Sequence, residues 1–247
     1  MAITIFHTSD LHNKLTSPQA DYLRRLKQSA PHSLMLDSGD AIWAGNIFWR
    51  PGGEPVLGLM NQVPYDAVCI GNREFHFLEA GMKSKTSRAQ FPFLSANLRA
   101  SSESTKLHAR PYKVFDCEGT KVSVFGLSVP CITKRMLVKR VSDFYFDSPL
   151  ESAAQLVPRL RDESDIVVAL THIGIAKDRE LVSKVAGIDL ILGGHTHTVT
   201  EQPERVGDTW LVHHGSHARF VGRVEMSSGS GGLSIEHEIS ALSDLQE

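Results

Sequence analysis

Seven side chains in five short fragments could hold metal ions: Asp10 and His12 in SDLH, Asp40 in SGD, Asn72 in GNREFH, His172 in LTH, and His195 with His197 in GGHTH. They amount to two carboxylates, four imidazoles and one amide oxygen. A tetrahedral ion takes about four ligands, so this set suits two ions that share a bridging carboxylate. Mixed nitrogen and oxygen ligation favours Mn, Fe, Zn, Co or Ni over Ca or Mg. Two divalent ions would outweigh the two carboxylates, leaving a positive centre suited to a bridging hydroxide and a phosphate ester. Metal pairs about 3.5–4 Å apart are a known arrangement for phosphoryl chemistry.

Such a centre needs elements that bring distant residues together. Each fragment follows a stretch that reads as a strand: ITIFH (3–7), SLML (33–36), DAVCI (66–70), DIVVAL (165–170) and DLIL (189–192). In open α/β sheets the carboxyl ends of parallel strands converge on one edge, where ligands bind. Helices are expected at 17–30, 54–63, 75–88, 149–163 and 177–186. Ser17 can cap the first of these, with Pro18 at its first position and Ala20, Leu23 and Leu26 on one face. Pro158 should kink the fourth. RPYKVFDCEGTKVSVFGLSV (110–129) reads as a hairpin turning at EG, and SSGSGG (227–232) as a second turn between β-rich segments. The two glycines before His195 would let the backbone bend tightly beside a bulky centre. Taken singly, a GD after a strand is usually a turn. All five fragments, each at a strand end, make the bland reading poor.

Composition narrows the class. The 247 residues carry a formal charge of −2 and are 41% hydrophobic. That gives core enough for one α/β domain over 1–247, and no field for gripping a long nucleic acid. The three cysteines are odd in number and form no CxxC pair, which argues against a disulfide framework or a thiolate zinc site and fits a reducing compartment better. MAITIF has no basic leader, and no run approaches the ~18 apolar residues that span a bilayer. The expectation is a cytoplasmic protein whose partner is a small molecule, not a membrane.

The series HTSDLH, SGD, GNRE, LTH and GGHTH resembles the metallophosphoesterase (calcineurin-like) superfamily. The context is closest to the catalytic domain of its branch of 5′-nucleotidases, UDP-sugar hydrolases and 2′,3′-cyclic-nucleotide phosphodiesterases. LMNQVPYDAVCIGNREF (59–75), FPFLSANL (91–98), GLSVP (126–130) and GSHARFVGRVEM (215–226) carry the likeness over nearly the whole chain. The resemblance implies a four-layer α/β/β/α sandwich that hydrolyses phosphate mono- or diesters with metal-bound hydroxide. It also implies ligand sets: Asp10, His12, Asp40 and His197 for one metal, and Asp40, Asn72, His172 and His195 for the other. Larger members carry a C-terminal domain that binds the nucleobase, and this chain's pattern stops short of it, so loose substrate choice is expected.

GNREFH departs from the GNHEFD usual in that branch, with arginine and histidine at Arg73 and His76. Arginine stays charged and cannot act as a general acid. Arg73 would stabilise the phosphoryl charge. His76, one helical turn on if the helix has begun, would donate the proton to the leaving group. Trp43, in the apolar loop Trp43–Trp49 after Asp40, is a candidate stacking platform for a substrate ring. Asn97 reads as a strand-end amide or a substrate contact. His213, His214 and His217 read as strand and turn positions, or as a cluster of which one, with His214 the candidate, lines the pocket mouth. His7, alternating with Ile3 and Ile5, reads as structural. The second reading of the chain is a non-catalytic metal-binding interaction module on the same fold.

Overall fold

Both faces of the parallel strands are apolar, which demands a covering layer on each side. Ile166, Val168 and Leu170 pack against one set of partners, while Val167 and Ala169 pack against another. The computed structural model describes residues 2–229 and 232–243. Its elements, in order, are β1 (Ala2–Thr8), α1 (Ser17–Ser29), β2 (Leu34–Asp37), α2 (Pro55–Gln62), β3 (Ala67–Cys69), α3 (Glu79–Thr86), β4 (Phe93–Leu94), β5 (Leu98–Ala100), β6 (Tyr112–Cys117) and β7 (Thr120–Ser128). After a 3-10 turn at Leu137–Val141 come β8 (Phe144–Phe146), α4 (Pro149–Glu163), β9 (Ile166–His172), α5 (Ile175–Lys184), β10 (Leu190–Gly193), β11 (Glu204–Val206), β12 (Thr209–His213), β13 (Phe220–Gly229) and β14 (Gly232–Ala241).

Two six-stranded sheets form, ordered β14-β13-β1-β2-β3-β4 and β11-β12-β10-β9-β7-β6. Ile5, Leu36, Cys69, Val124, Leu170, Leu192 and Val212 fill the space between the sheets. Leu23, Leu57 and Met82 of α1 to α3 cover the first sheet's outer face, and Val157, Leu160 and Leu181 of α4 and α5 cover the second's. The result is the expected α/β/β/α sandwich. Within each sheet the site-bearing strands run parallel: β1 with β2 (Thr8↔Asp37), and β9 with β10 (Leu170↔Leu192). Their carboxyl ends therefore open on one edge.

Local readings fared unevenly. Thr16, not Ser17, caps α1, closing a capping box with Gln19. Helix α3 begins at Glu79 rather than near 75. Helix α4 runs on through Pro158, which sits on the exposed face, where water can satisfy the carbonyl that loses its donor. The EG turn has positive φ at both Glu118 and Gly119, the geometry that matches a hairpin's twist. Positions 230 and 231 of SSGSGG lie outside the described residues, and Gly229 pairs with Gly232 on either side of them.

A line of three imidazoles crosses the inter-sheet layer at the site end. His237 Nε2 meets His214 Nε2 at 2.9 Å, His214 Nδ1 meets His7 Nδ1 at 2.6 Å, and His7 Nε2 meets Ser38 Oγ at 2.7 Å. Ser38 Oγ–H donates to the Leu192 carbonyl at 2.7 Å. With that hydroxyl committed, His7 must donate to Ser38 and accept from His214, which in turn accepts from His237. One proton per ring satisfies every contact, so the line is stable with all three rings neutral. Burial, helped by the neighbouring imidazoles, holds His7 down to about 3 and His214 well below its ordinary value.

The sign of the pH effect follows. A folded-state pKa below the unfolded value means that the unfolded chain takes up protons first. The contribution to stability is full above pH 6.5 and is lost as pH falls towards about 3. The limiting loss is about 1.4 kcal/mol per pH unit for each such histidine. The urea midpoint should therefore fall between pH 6.5 and 5, and His7→Leu should flatten that slope. A midpoint independent of pH over this range would contradict the neutral line.

Candidate metal centre

At the shared edge, Asp10 and His12 follow β1, Asp40 follows β2, Asn72 follows β3, His172 closes β9, and His195 with His197 follows β10. Ligand-type atoms of Asp10, His12 and His197 all lie within 4.8 Å of one another, and so do those of Asp40, His172 and His195. His12 Nε2 and His197 Nε2 face each other at 3.0 Å, with Asp10 Oδ1 3.4 Å from the latter. His172 Nε2 stands 3.4 Å from Asp40 Oδ1. Asp10 Oδ1, Asn72 Oδ1 and His172 Nε2 are buried without hydrogen-bond partners. A buried polar atom left unpaired costs roughly 1–3 kcal/mol; Asp10 and His172 belong to the two triads, and Asn72 stands between Gly71 and Arg73, whose backbones both lie against Asp40. Imidazole, carboxylate and amide donors in this arrangement fit two divalent transition-metal ions.

The backbone is bent to present these groups. Asp10, His12, Asp40, His195 and His197 have φ of 49°, 47°, 54°, 78° and 55°. The left-handed region costs about 1–2 kcal/mol for a residue bearing a Cβ. Cross-loop hydrogen bonds hold it: the Asp10, His12 and Asn13 amides donate to the carbonyls of Gly39, Asp40 and Ala41 at 3.0, 3.0 and 2.7 Å. Gly71 permits a close approach to the expected bridging position, since a Cβ there would sit 2.3 Å from Asp40 Oδ1. Gly193 acts by a means other than the expected bend. A Cβ there would stand 2.0 Å from His213 Nε2, so it makes room for the buried His213–Asp178 pair at 2.8 Å.

Two buried charges brace the loops, and neither stands out in the sequence. Glu74 accepts the backbone N–H groups of Asp40 (2.8 Å), Ala41 (2.9 Å), Ile42 (3.3 Å) and Gly71 (2.9 Å). Burial, with Asp40 nearby, pushes its carboxyl up to about 7. Lys85 Nζ donates to the carbonyls of Gly45 (2.7 Å), Arg73 (2.6 Å) and Phe75 (2.7 Å). The carboxylate thus collects donors and the ammonium collects acceptors from the same two loops. GNRE contains Glu74 in plain view, but only the fold shows that four amides point at it.

Electrostatics separate the imidazoles. Burial holds His12 down to about 4 and also lowers His195, which keeps both neutral and able to ligate. Burial works against charge on His172, but Asp40 beside it prevails and raises it; Asp40 is correspondingly held low. His172 Nδ1 donates to the Ser38 carbonyl at 2.8 Å, leaving Nε2 to face Asp40. A cation at Asp40 would therefore displace a proton from this pair.

The remaining candidates divide. Arg73 lies across the site: its amide donates to Asp40 Oδ1 at 2.7 Å, its Nη1 to the Trp43 carbonyl at 2.6 Å, and its guanidinium covers the Trp43 ring at 5.4 Å. The expectations for His76 and His214 are corrected, and of the two readings of Asn97 the strand-end amide fits. His76 is not a helical turn beyond Arg73, because α3 has not begun. Its ring is fully buried, stacked on Phe77 and edge-on to Trp49, and Nδ1 accepts the Leu78 amide at 3.0 Å. His214 does not line the mouth, because it is buried in the imidazole line. Asn97 is likewise enclosed, bonded to the Ser128 carbonyl and amide at 2.8 and 2.9 Å. His217 is the ring that reaches the site, 4.9 Å from His12 and 5.2 Å from His197 between centroids.

Residues 3–199 match the family model described as calcineurin-like phosphoesterase. The chain is 30% identical to the trifunctional nucleotide phosphoesterase protein YfkN of Bacillus subtilis (strain 168), over 98% of this chain and 19% of that protein. It is 30% identical to protein UshA of Yersinia enterocolitica, over 94% of this chain and 50% of that protein. A 5′-nucleotidase precursor from Thermus thermophilus has the same fold, with a TM-score of 0.83 at 24% identity, over 98% of this chain and 54% of that one. The chain spans about half, or less, of the length of these proteins. It belongs to the calcineurin-like phosphoesterase family.

Proposed function

We propose that this chain hydrolyses small phosphate esters at a two-metal centre, with nucleotides among the candidate substrates. The observation that carries the reading is the pair of triads at one sheet edge, with buried donor atoms that no protein group satisfies. Asp10, His12 and His197 would hold one ion and Asn72, His172 and His195 the other, with Asp40 between them. The nitrogen-rich donor set supports Mn, Fe, Zn, Co or Ni. Bound there, the ions supply the Lewis acidity that phosphoryl transfer to water requires. The chain is read as one catalytic domain, because both sheets contribute ligands to the one centre. The alternative of an inert interaction module is less well supported, since such modules have no need to strain five ligand residues into the left-handed region.

The protein's own groups have distinct tasks in this reading. Arg73 holds a fixed guanidinium beside Asp40 and bonds to the Trp43 loop, so it can bind the phosphoryl oxygens as their charge grows. Glu74 and Lys85 set where Asp40 and Arg73 stand. His76 has its Nδ1 lone pair engaged by the Leu78 amide, and burial lowers its pKa, so it is neutral near pH 7. Its contacts assign it to positioning Trp49. The relatives named for nucleotides support a nucleotide or cyclic nucleotide as substrate, and the exposed Trp43 ring remains the candidate platform for a base.

Elemental analysis after reconstitution should give close to two ions per chain, falling to one or none in Asp40→Asn. A ratio of one that Asp40→Asn leaves unchanged would exclude the shared carboxylate. A metal-loaded screen over aryl mono- and diesters, cyclic nucleotides and nucleoside phosphates tests the activity, and inactivity with all five metals would favour the interaction module.

Kinetics of two variants separate the roles in GNREFH. Arg73→Ala should lower kcat/KM by about 100-fold on alkyl and aryl esters alike. His76→Ala should cause a small loss of equal size on both. A loss much larger on alkyl esters, whose leaving groups need a proton, would restore His76 as the acid.

A further inference from the structure

Apolar exposure on this molecule is concentrated. Among the described residues, eight of the eleven exposed large apolar side chains lie in residues 43–49 and 136–141. Ile47 and Phe48 are 78% and 57% exposed, and Leu137 and Val141 are 79% and 67% exposed. The two segments are neighbours. Trp49 packs edge-on to His76, while the Ser142 hydroxyl and the Asp143 amide donate to the Phe77 carbonyl at 3.1 and 2.8 Å. They form one rim beside Arg73. Scattered apolar residues need no explanation, but a contiguous patch does.

Charge on the rim runs against the chain's net −2. Residues 130–142, PCITKRMLVKRVS, contain Lys134, Arg135, Lys139 and Arg140 and no carboxylate, and residues 41–53 add Arg50 and again no carboxylate. Lys134 pairs with Asp147 at 2.8 Å, and Lys134 and Lys139 both cover the Tyr145 ring. Arg135 and Arg140 are exposed beside Leu137 and Val141. Tryptophan, aliphatic and basic side chains on one rim match the chemistry of a lipid interface with an anionic surface. A second copy of this chain fits poorly, since a two-fold contact would press each set of cations against its own image.

We propose that this rim docks on an anionic lipid bilayer, Ile47, Phe48, Leu137 and Val141 entering the headgroup layer while Arg135 and Arg140 meet lipid phosphates. No helix among the described residues is long and apolar enough to cross a membrane, and docking needs none. The proposal concerns a surface outside the metal centre and does not depend on the activity proposed above.

Co-sedimentation of the full chain with vesicles tests it, using phosphatidylcholine alone or mixed with phosphatidylglycerol. The protein should pellet with the mixed vesicles at low salt, stay in solution with the neutral ones, and release as salt rises. Leu137→Glu with Val141→Glu should abolish pelleting. Arg135→Ala with Arg140→Ala should weaken it by roughly 30-fold. Both double variants should keep the wild-type melting temperature, because these side chains are exposed. Three results would each overturn the proposal: no pelleting of the wild type with mixed vesicles, pelleting that neither double variant changes, or a concentration-dependent dimer that Leu137→Glu dissolves. The last would assign the rim to self-association, and the first would leave it to a protein partner.

Discussion

The two sheets must be held in register, because each supplies only part of the metal centre. Apolar packing between them is strong but non-directional, and it cannot place donor atoms within an ångström. Hydrogen bonds across the gap can. Asp10 Oδ2, from the first sheet, accepts the His195 amide of the second at 3.0 Å. His172 of the second donates to the Ser38 carbonyl of the first, and the Ser38 hydroxyl returns to Leu192. Ser38 thus receives one ligand-bearing strand end and grips another. The imidazole line then ties Ser38, through His7 of β1, to His214 after β12 and to His237 of the edge strand β14. Slip of a strand by one residue within its sheet would turn its side chains to the opposite face and break the bonds that it makes across the gap.

Within that frame the ligand loops hold unfavourable features in one place: left-handed residues, unpaired buried oxygens and nitrogens, and like-charged carboxylates. Elements that are stable on their own surround them. The Glu74 carboxylate and the Lys85 ammonium show how this is managed. Each buried charge is dissolved in backbone dipoles instead of forming a simple ion pair, and a lone carboxylate or ammonium at such depth is otherwise expensive. Removing either charge would free several backbone groups at once, so both are expected to act as units with the loops they hold.

Much of this was legible from residue order. The ligand-type side chains stand immediately after apolar runs, and parallel-strand geometry alone brings such positions together. The hairpin at Glu118–Gly119 and helix α1 were visible for similar local reasons. What stayed hidden has long-range partners. Lys85 looks like an ordinary surface lysine on a short helix until three carbonyls from two other segments surround it. His214 looked like a pocket residue because its neighbours in sequence, His213 and His217, are also histidines. Strand β12 ends between them, and the three rings then point into three different environments. His76 failed for a related reason, because the chain after Arg73 makes a turn before α3 and carries the ring away from the site and under Trp49.

The strand order of the first sheet has a consequence for how the protein is made. Strand β1, whose end bears Asp10 and His12, pairs on one side with β2 and on the other with β13, with His7 set against Gly222. The Asp10 carbonyl also waits for the His217 amide. During synthesis β1 must therefore remain with one edge bare until some two hundred further residues have left the ribosome. Closure of so long a loop is slow, and an open strand edge invites pairing with other chains. The hairpin of β13 and β14 carries none of the ligand residues, yet β1 and the Asp10 carbonyl reach their final partners only when residues 217–229 have joined the sheet, so the centre takes its final geometry after all its ligands have been made.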